Sequence, residues 1–157
     1  MCTSRISVVF GLLLCLPLVT QAGDDFTIDG KFTGEGKAAK LTSLVVRKGE
    51  NDRKDRYILM FTEKTPKPKD SDMAAMFGDL GDALVITMKP DGKITNCLVA
   101  HSAHKEKGGF QSIGEIEFKD LKMADGKISG KLTTSGEQKA FGKTWEVDLK
   151  FSAPLPK

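Results

Sequence analysis

The stretch Phe141-Gly142-Lys143-Thr144-Trp145-Glu146-Val147-Asp148-Leu149-Lys150-Phe151 decides the fold. Phe141, Trp145, Val147, Leu149 and Phe151 share one parity, while Thr144, Glu146, Asp148 and Lys150 take the other. Successive side chains of a β-strand leave opposite faces, so this alternation describes a strand with one face in a core and one in water. The same period recurs upstream. Phe26, Ile28 and Phe32 alternate with Thr27, Asp29, Lys31 and Thr33, and Ile128 and Leu132 alternate with Ser129, Lys131 and Thr133. Gly114, Ile116 and Phe118 alternate with Glu115, Glu117 and Lys119. Three segments differ: Leu41 to Val46, Tyr57 to Phe61 and Ala83 to Met88 are apolar at both parities, as in strands covered on both faces.

Turn chemistry falls between these runs. Pro90-Asp91-Gly92 joins Ala83–Lys89 to Lys93–Ala100 as a tight hairpin, and Asp125-Gly126 does the same between Phe118 and Ile128. Arg47 to Arg56 is a charged loop of both signs, and Ser135 to Ala140 separates the last two strands. About eight strands with no recurring helical partner predict an all-β fold, an antiparallel sandwich or barrel. Its inward set is Phe26, Ile28, Phe32, Leu59, Phe61, Leu84, Ile86, Phe118, Leu132, Trp145, Val147, Leu149 and Phe151.

One segment has a different period. Met73, Met76, Phe77 and Leu80 fall at i, i+3, i+4 and i+7, which predicts one short helix over residues 71–80. Asp70, Ser71 and Asp72 supply oxygens for its start, and Gly81 ends it. So short a helix does not persist in water unaided. Met73, Met76 and Phe77 are therefore expected to dock it, closing an opening in the shell, and they are candidate lining residues for a pocket there.

The N-terminal segment sets the expected compartment. Arg5 precedes an uncharged run from Ile6 to Val19, followed by Thr20-Gln21-Ala22 with small residues where a signal peptidase reads. That layout predicts a secretory signal over residues 1–22 and a single exported β domain over 23–157, periplasmic or secreted. The run is shorter than the roughly 18 residues of a spanning helix, so no membrane span is expected. Cys2 and Cys15 leave with the signal, which isolates Cys97 and precludes an internal disulfide. The 24 basic and 21 acidic side chains nearly balance, at a formal net charge of +3, and no basic cluster suggests a nucleic-acid partner.

Three constellations bear on chemistry. His101 and His104 are the only histidines, and Cys97 lies four residues before the first. Imidazole and thiolate so close in sequence make them candidate metal ligands. A strand rises about 3.3 Å per residue, which sets Cys97 and His101 about 13 Å apart if both lie on one strand. Met73 and Met76 offer thioethers, but their spacing with Phe77 and Leu80 is that of a packing face. Glu115/Glu117 and Glu146/Asp148 place carboxylates in pairs, on faces that also carry lysines, where cross-strand ion pairs are the ordinary outcome. No nucleophile elbow, phosphate loop or paired-cysteine motif occurs, and no cofactor is implied.

The segment Phe141 to Pro156, taken with Asn96-Cys97-Leu98-Val99-Ala100-His101-Ser102-Ala103-His104, resembles a group of uncharacterised exported proteins of planctomycete-type bacteria. The resemblance implies an exported bacterial β domain and brings no activity, cofactor or site residue with it. The expected function is that of a non-catalytic exported module binding a small apolar ligand or an envelope protein. The alternative is a metal-binding protein or metal-dependent enzyme built on the His101/His104 loop, with Cys97 as third ligand.

Overall fold

A computed structural model of the chain describes residues 25–70, 72–106, 108–112 and 115–157. The signal segment expected over residues 1–22 lies outside the described residues, as does Ser71. Among the described residues eleven strands run β1 (Thr27–Gly34), β2 (Lys37–Ala38), β3 (Ser43–Lys48), β4 (Tyr57–Thr62), β5 (Ala83–Met88), β6 (Ile94–Ala100), β7 (Phe110–Gln111), β8 (Glu117–Ala124), β9 (Lys127–Thr133), β10 (Gln138–Ala140) and β11 (Lys143–Pro154). One α-helix among the described residues, α1 (Asp72–Met76), lies between β4 and β5, and a single 3-10 turn spans Asn51–Arg53. The eight long strands fall where the alternation and the apolar runs predict them, except that β8 begins at Glu117 and runs on to Ala124, beyond the Gly114–Lys119 alternation; β2, β7 and β10 are two- or three-residue additions.

They form two antiparallel sheets. The first has the order β2-β1-β11-β9-β8, with β10 also on β11; the second is the meander β3-β4-β5-β6-β7. The sheets stack face to face with no ladder between them among the described residues, so the shell is a sandwich and not a closed barrel. β11 lies at the centre of the first sheet, with Phe32 opposite Val147 on one side and Leu132 opposite Leu149 on the other.

Every residue of the predicted inward set belongs to the layer between the sheets, Phe26, Ile28 and Phe118 at its half-buried margin. Phe61 meets Phe151 across that layer edge to face, ring centroids 5.4 Å apart. The wet side of the first sheet carries diagonal ion pairs, Lys31 with Glu146 and Lys131 with Asp148, each at 2.9 Å. The Asp125-Gly126 turn has left-handed backbone at both positions (φ 52° and 72°), the geometry a two-residue hairpin needs.

The second sheet is covered twice. Leu59, Phe61, Leu84, Ile86, Cys97 and Val99 face the first sheet, while Met60, Ala83, Val85, Leu98 and Ala100 lie beneath α1 and the turn after it. Arg47 holds the approach to this cover, donating to the backbone carbonyls of Lys67 (2.7 Å) and Asp70.

Two expectations need correction here. The helix is shorter than residues 71–80, and it covers the outside of the second sheet; it does not close an opening between sheets. Its docked face is Ala75 and Leu80 with Ala74 and Met76 beside them, while Met73 is 47% and Phe77 69% exposed. Ala83 and Ala100 leave room beside Met60, Val85 and Leu98 for Ala74 and Ala75 to approach, while the larger Met73 and Phe77 are turned outward. Phe141, grouped above with the inward parity, is 78% exposed. It occupies the tip between β10 and β11, where Phe141 and Gly142 are left-handed (φ 52° and 74°), and the strand begins only at Lys143.

Candidate functional site

The chain leaves β6 at Ala100 and runs over one end of the sandwich before returning as β7. The inward parity of β6 continues for one more residue, which carries His101 into the gap between the sheets. Its ring packs against Phe32 of β1, centroids 5.3 Å apart, and over Gly34. A Cβ at Gly34 would stand 2.5 Å from Cγ of His101, so the close approach depends on glycine there. His104 follows at a ring-centroid distance of 5.6 Å from His101, then Phe110 at 5.5 Å from His104 and Phe141 at 6.0 Å from Phe110. This row of rings links both sheets across the end of the molecule. Both imidazoles are buried, at 7% and 6% exposure.

Backbone hydrogen bonds assign the tautomers. The Ala103 N–H donates to Nδ1 of His101 at 3.1 Å, so that nitrogen is an acceptor and the ring proton sits on Nε2. His104 Nε2 lies 3.1 Å from the Thr144 carbonyl, which can only accept, so Nε2 carries the proton and Nδ1 keeps the lone pair. The remaining nitrogens, His101 Nε2 and His104 Nδ1, are buried and make no hydrogen bond of normal geometry among the described residues. Such a group costs about 1–3 kcal/mol in desolvation. Asp82, just before β5, accepts from the Ser102 N–H at 2.6 Å and approaches His101 Nδ1 at 4.0 Å. Burial pushes the His101 pKa below the ordinary histidine value; the Asp82 carboxylate opposes this and His104 adds to it.

Between this loop and the turn after α1 lies a cavity of about 350 Å3, lined by Phe77, Gly78, Gly81, His101, His104 and Gly108. The Gly109 N–H donates to the Met76 carbonyl at 2.7 Å and ties the two walls together. Of the three candidate lining residues, Phe77 reaches this cavity; Met76 packs beneath the helix and Met73 is exposed at its start.

The candidate metal ligands are not brought to one point. His101 and His104 are neighbours, but Cys97 is fully buried in the layer between the sheets, and burial pushes its thiol pKa up to about 12. A metal takes the thiolate, which that environment disfavours. The tautomers add to this: His104 Nδ1 has the free lone pair a metal requires, whereas Nε2 of His101 holds a proton. Among the described residues, no group of three or more His, Cys, Asp or Glu side chains is arranged to hold a metal ion. The carboxylates Glu117, Glu146 and Asp148 are engaged with lysines on the wet face.

Asp82, Gly34 and Thr144 belong to this site and escape a reading by motif, because they come from three distant segments. Gly34 alone carries a signal, as a glycine at the inward parity of a strand, where a close approach is expected. No protein-family model, curated protein or solved structure matches the chain.

Proposed function

We propose that this chain is an exported, non-catalytic binding module that takes a small ligand with an apolar body in the cavity beside the His101–Gly108 loop. The observation that carries the reading is Phe77, whose ring is 69% exposed at the wall of a cavity of about 350 Å3. A large apolar side chain turned to solvent beside a concave, partly polar cavity is the usual makeup of a small-molecule site. The commitment of the carboxylates to surface ion pairs and the buried, protonated thiol of Cys97 support a role without covalent or acid–base chemistry. No helix among the described residues is long and apolar enough to cross a membrane.

Native mass spectrometry of the protein purified from its own cells tests both halves of the proposal. A reproducible bound mass, lost in Phe77→Ser while the fold is retained, is the expected result; an apo spectrum for the wild type overturns the ligand reading. The same spectrum should give a chain starting at Gly23, and a chain that retains Met1 to Ala22 overturns export.

A further inference from the structure

We infer that the segment His101–His104 is a proton-released latch between the two sheets, closed when His101 is neutral and opened when it is charged. The latch rests on hydrogen bonds within the fold and not on the proposed ligand, although His101 and His104 also line the cavity.

Three consecutive backbone donors define the closed state. The Ser102 N–H is bonded to Asp82 Oδ1, the Ala103 N–H to His101 Nδ1, and the His104 N–H to the His101 carbonyl. His104 then fastens the segment to the other sheet through the Thr144 carbonyl, which also receives the Glu35 N–H at 3.1 Å. A proton taken from solvent can enter His101 only at Nδ1, since Nε2 already holds one. Nδ1 then becomes a donor facing the donor of Ala103, and that bond is lost. The charged ring is also left in a gap walled by Phe32 and Gly34, with its side chain only 1% exposed, so its charge is poorly solvated.

The charged and titratable groups around His101 come from several elements. Asp82, from the turn before β5, favours the charged ring, and so in smaller measure does the Lys37 backbone of β2; His104, on the latch itself, disfavours it. β1 contributes Phe32 and Gly34, and Glu35 directly after it accepts from the Thr144 N–H at 2.9 Å. Farther out, Lys143 and Glu106 pair at 3.5 Å. Asp82 lies at 4.0 Å, outside hydrogen-bond distance, so it does not capture the new proton in the closed geometry. Opening gives water to the charged ring and to the two nitrogens that make no hydrogen bond of normal geometry among the described residues when closed. The balance thus has a direction. A histidine held neutral by the folded state stabilises that state fully above the free-histidine value of 6.5, and the contribution falls as pH drops from there toward the lowered folded value.

Amide hydrogen exchange at Ser102, Ala103 and His104, corrected for intrinsic rates and compared with amides of β9 and β11, reads the latch directly. Protection at the three positions should fall by more than about twofold, and up to about tenfold, between pH 7.5 and pH 5.5 while the control strands stay level. His101→Asn keeps an acceptor near the Nδ1 position and cannot titrate, so its protection should be flat. Asp82→Asn retains an acceptor for Ser102 and removes the anion, so its midpoint should move to lower pH. A wild-type change below about twofold, or an equal change in His101→Asn, overturns the latch. If His101→Asn fails to fold, the wild-type imidazole titrations followed by NMR decide instead. An exchange midpoint that tracks His101 supports the latch, and one that tracks His104 overturns it.

Discussion

The two sheets share a two-residue period and use it differently. In the first, one parity of β1, β9 and β11 is buried and the other is wet, its lysines and carboxylates paired diagonally across strands. In the second, β5 is buried at all six positions, because α1 and its flanking segment cover the outer face. The same backbone geometry therefore exposes a substitution to two environments in one sheet and to only one in the other. This asymmetry also places the candidate site, since the cavity forms where the cover of the second sheet meets the loop that crosses to the first.

The sharpest way to break the comparison is a charge on the covered outer face. Met60→Lys puts an unpaired ammonium beneath α1, where Met60 is 1% exposed, and should lower unfolding free energy by about 3–5 kcal/mol in urea titration. A loss under about 1 kcal/mol would mean that the cover lifts freely and the face is wet. Next, truncations on the two faces of β5 rank the two layers. Ile86→Ala, between the sheets, should cost about 2–5 kcal/mol. Val85→Ala, beneath the helix, should cost about 1.5–3 kcal/mol, having fewer methylenes to lose. Equal or reversed costs would make the helix layer the better packed of the two.

Smaller effects sharpen the picture. Phe141→Asn relieves an exposed phenylalanine of its left-handed backbone and should raise the unfolding free energy by about 0.5–1 kcal/mol in urea titration. A loss instead would show that its contact with Phe110 outweighs the turn strain. The smallest change is expected for Lys131→Ala on the wet face of the first sheet, where a half-exposed ion pair contributes about 0.2–1 kcal/mol that fades with added salt. A larger, salt-insensitive loss would place that face in a buried setting.

Much of the fold is legible in the parity of a few side chains. Phe32, Leu132, Val147, Leu149 and Phe151 face inward because a strand offers only two faces and their neighbours are charged or hydroxylic. Ala83 to Met88 announces a second covering layer by having no polar parity at all. The helical stripe misleads over Met73 and Phe77, since spacing tells which side chains share a face and not which face docks. At Phe141, alternation carries on through a residue that the chain uses as a turn.

The site shows the same division more sharply. His101 and His104 stand out in the sequence as the only imidazoles, and their closeness is real. Their partners Asp82, Gly34 and Thr144 are distant in sequence, and which carbonyl or carboxylate meets which nitrogen depends on how the two sheets stack. By itself the sequence determined the strands, their inward faces, the hairpin turns and the isolation of the two histidines, because each follows from short-range geometry and side-chain polarity. Only the tertiary structure decided sandwich over barrel, the docked face of the helix, the burial of Cys97 away from the histidines and the tautomers of the latch. Those depend on the stacking of surfaces far apart in the chain, which no local period encodes.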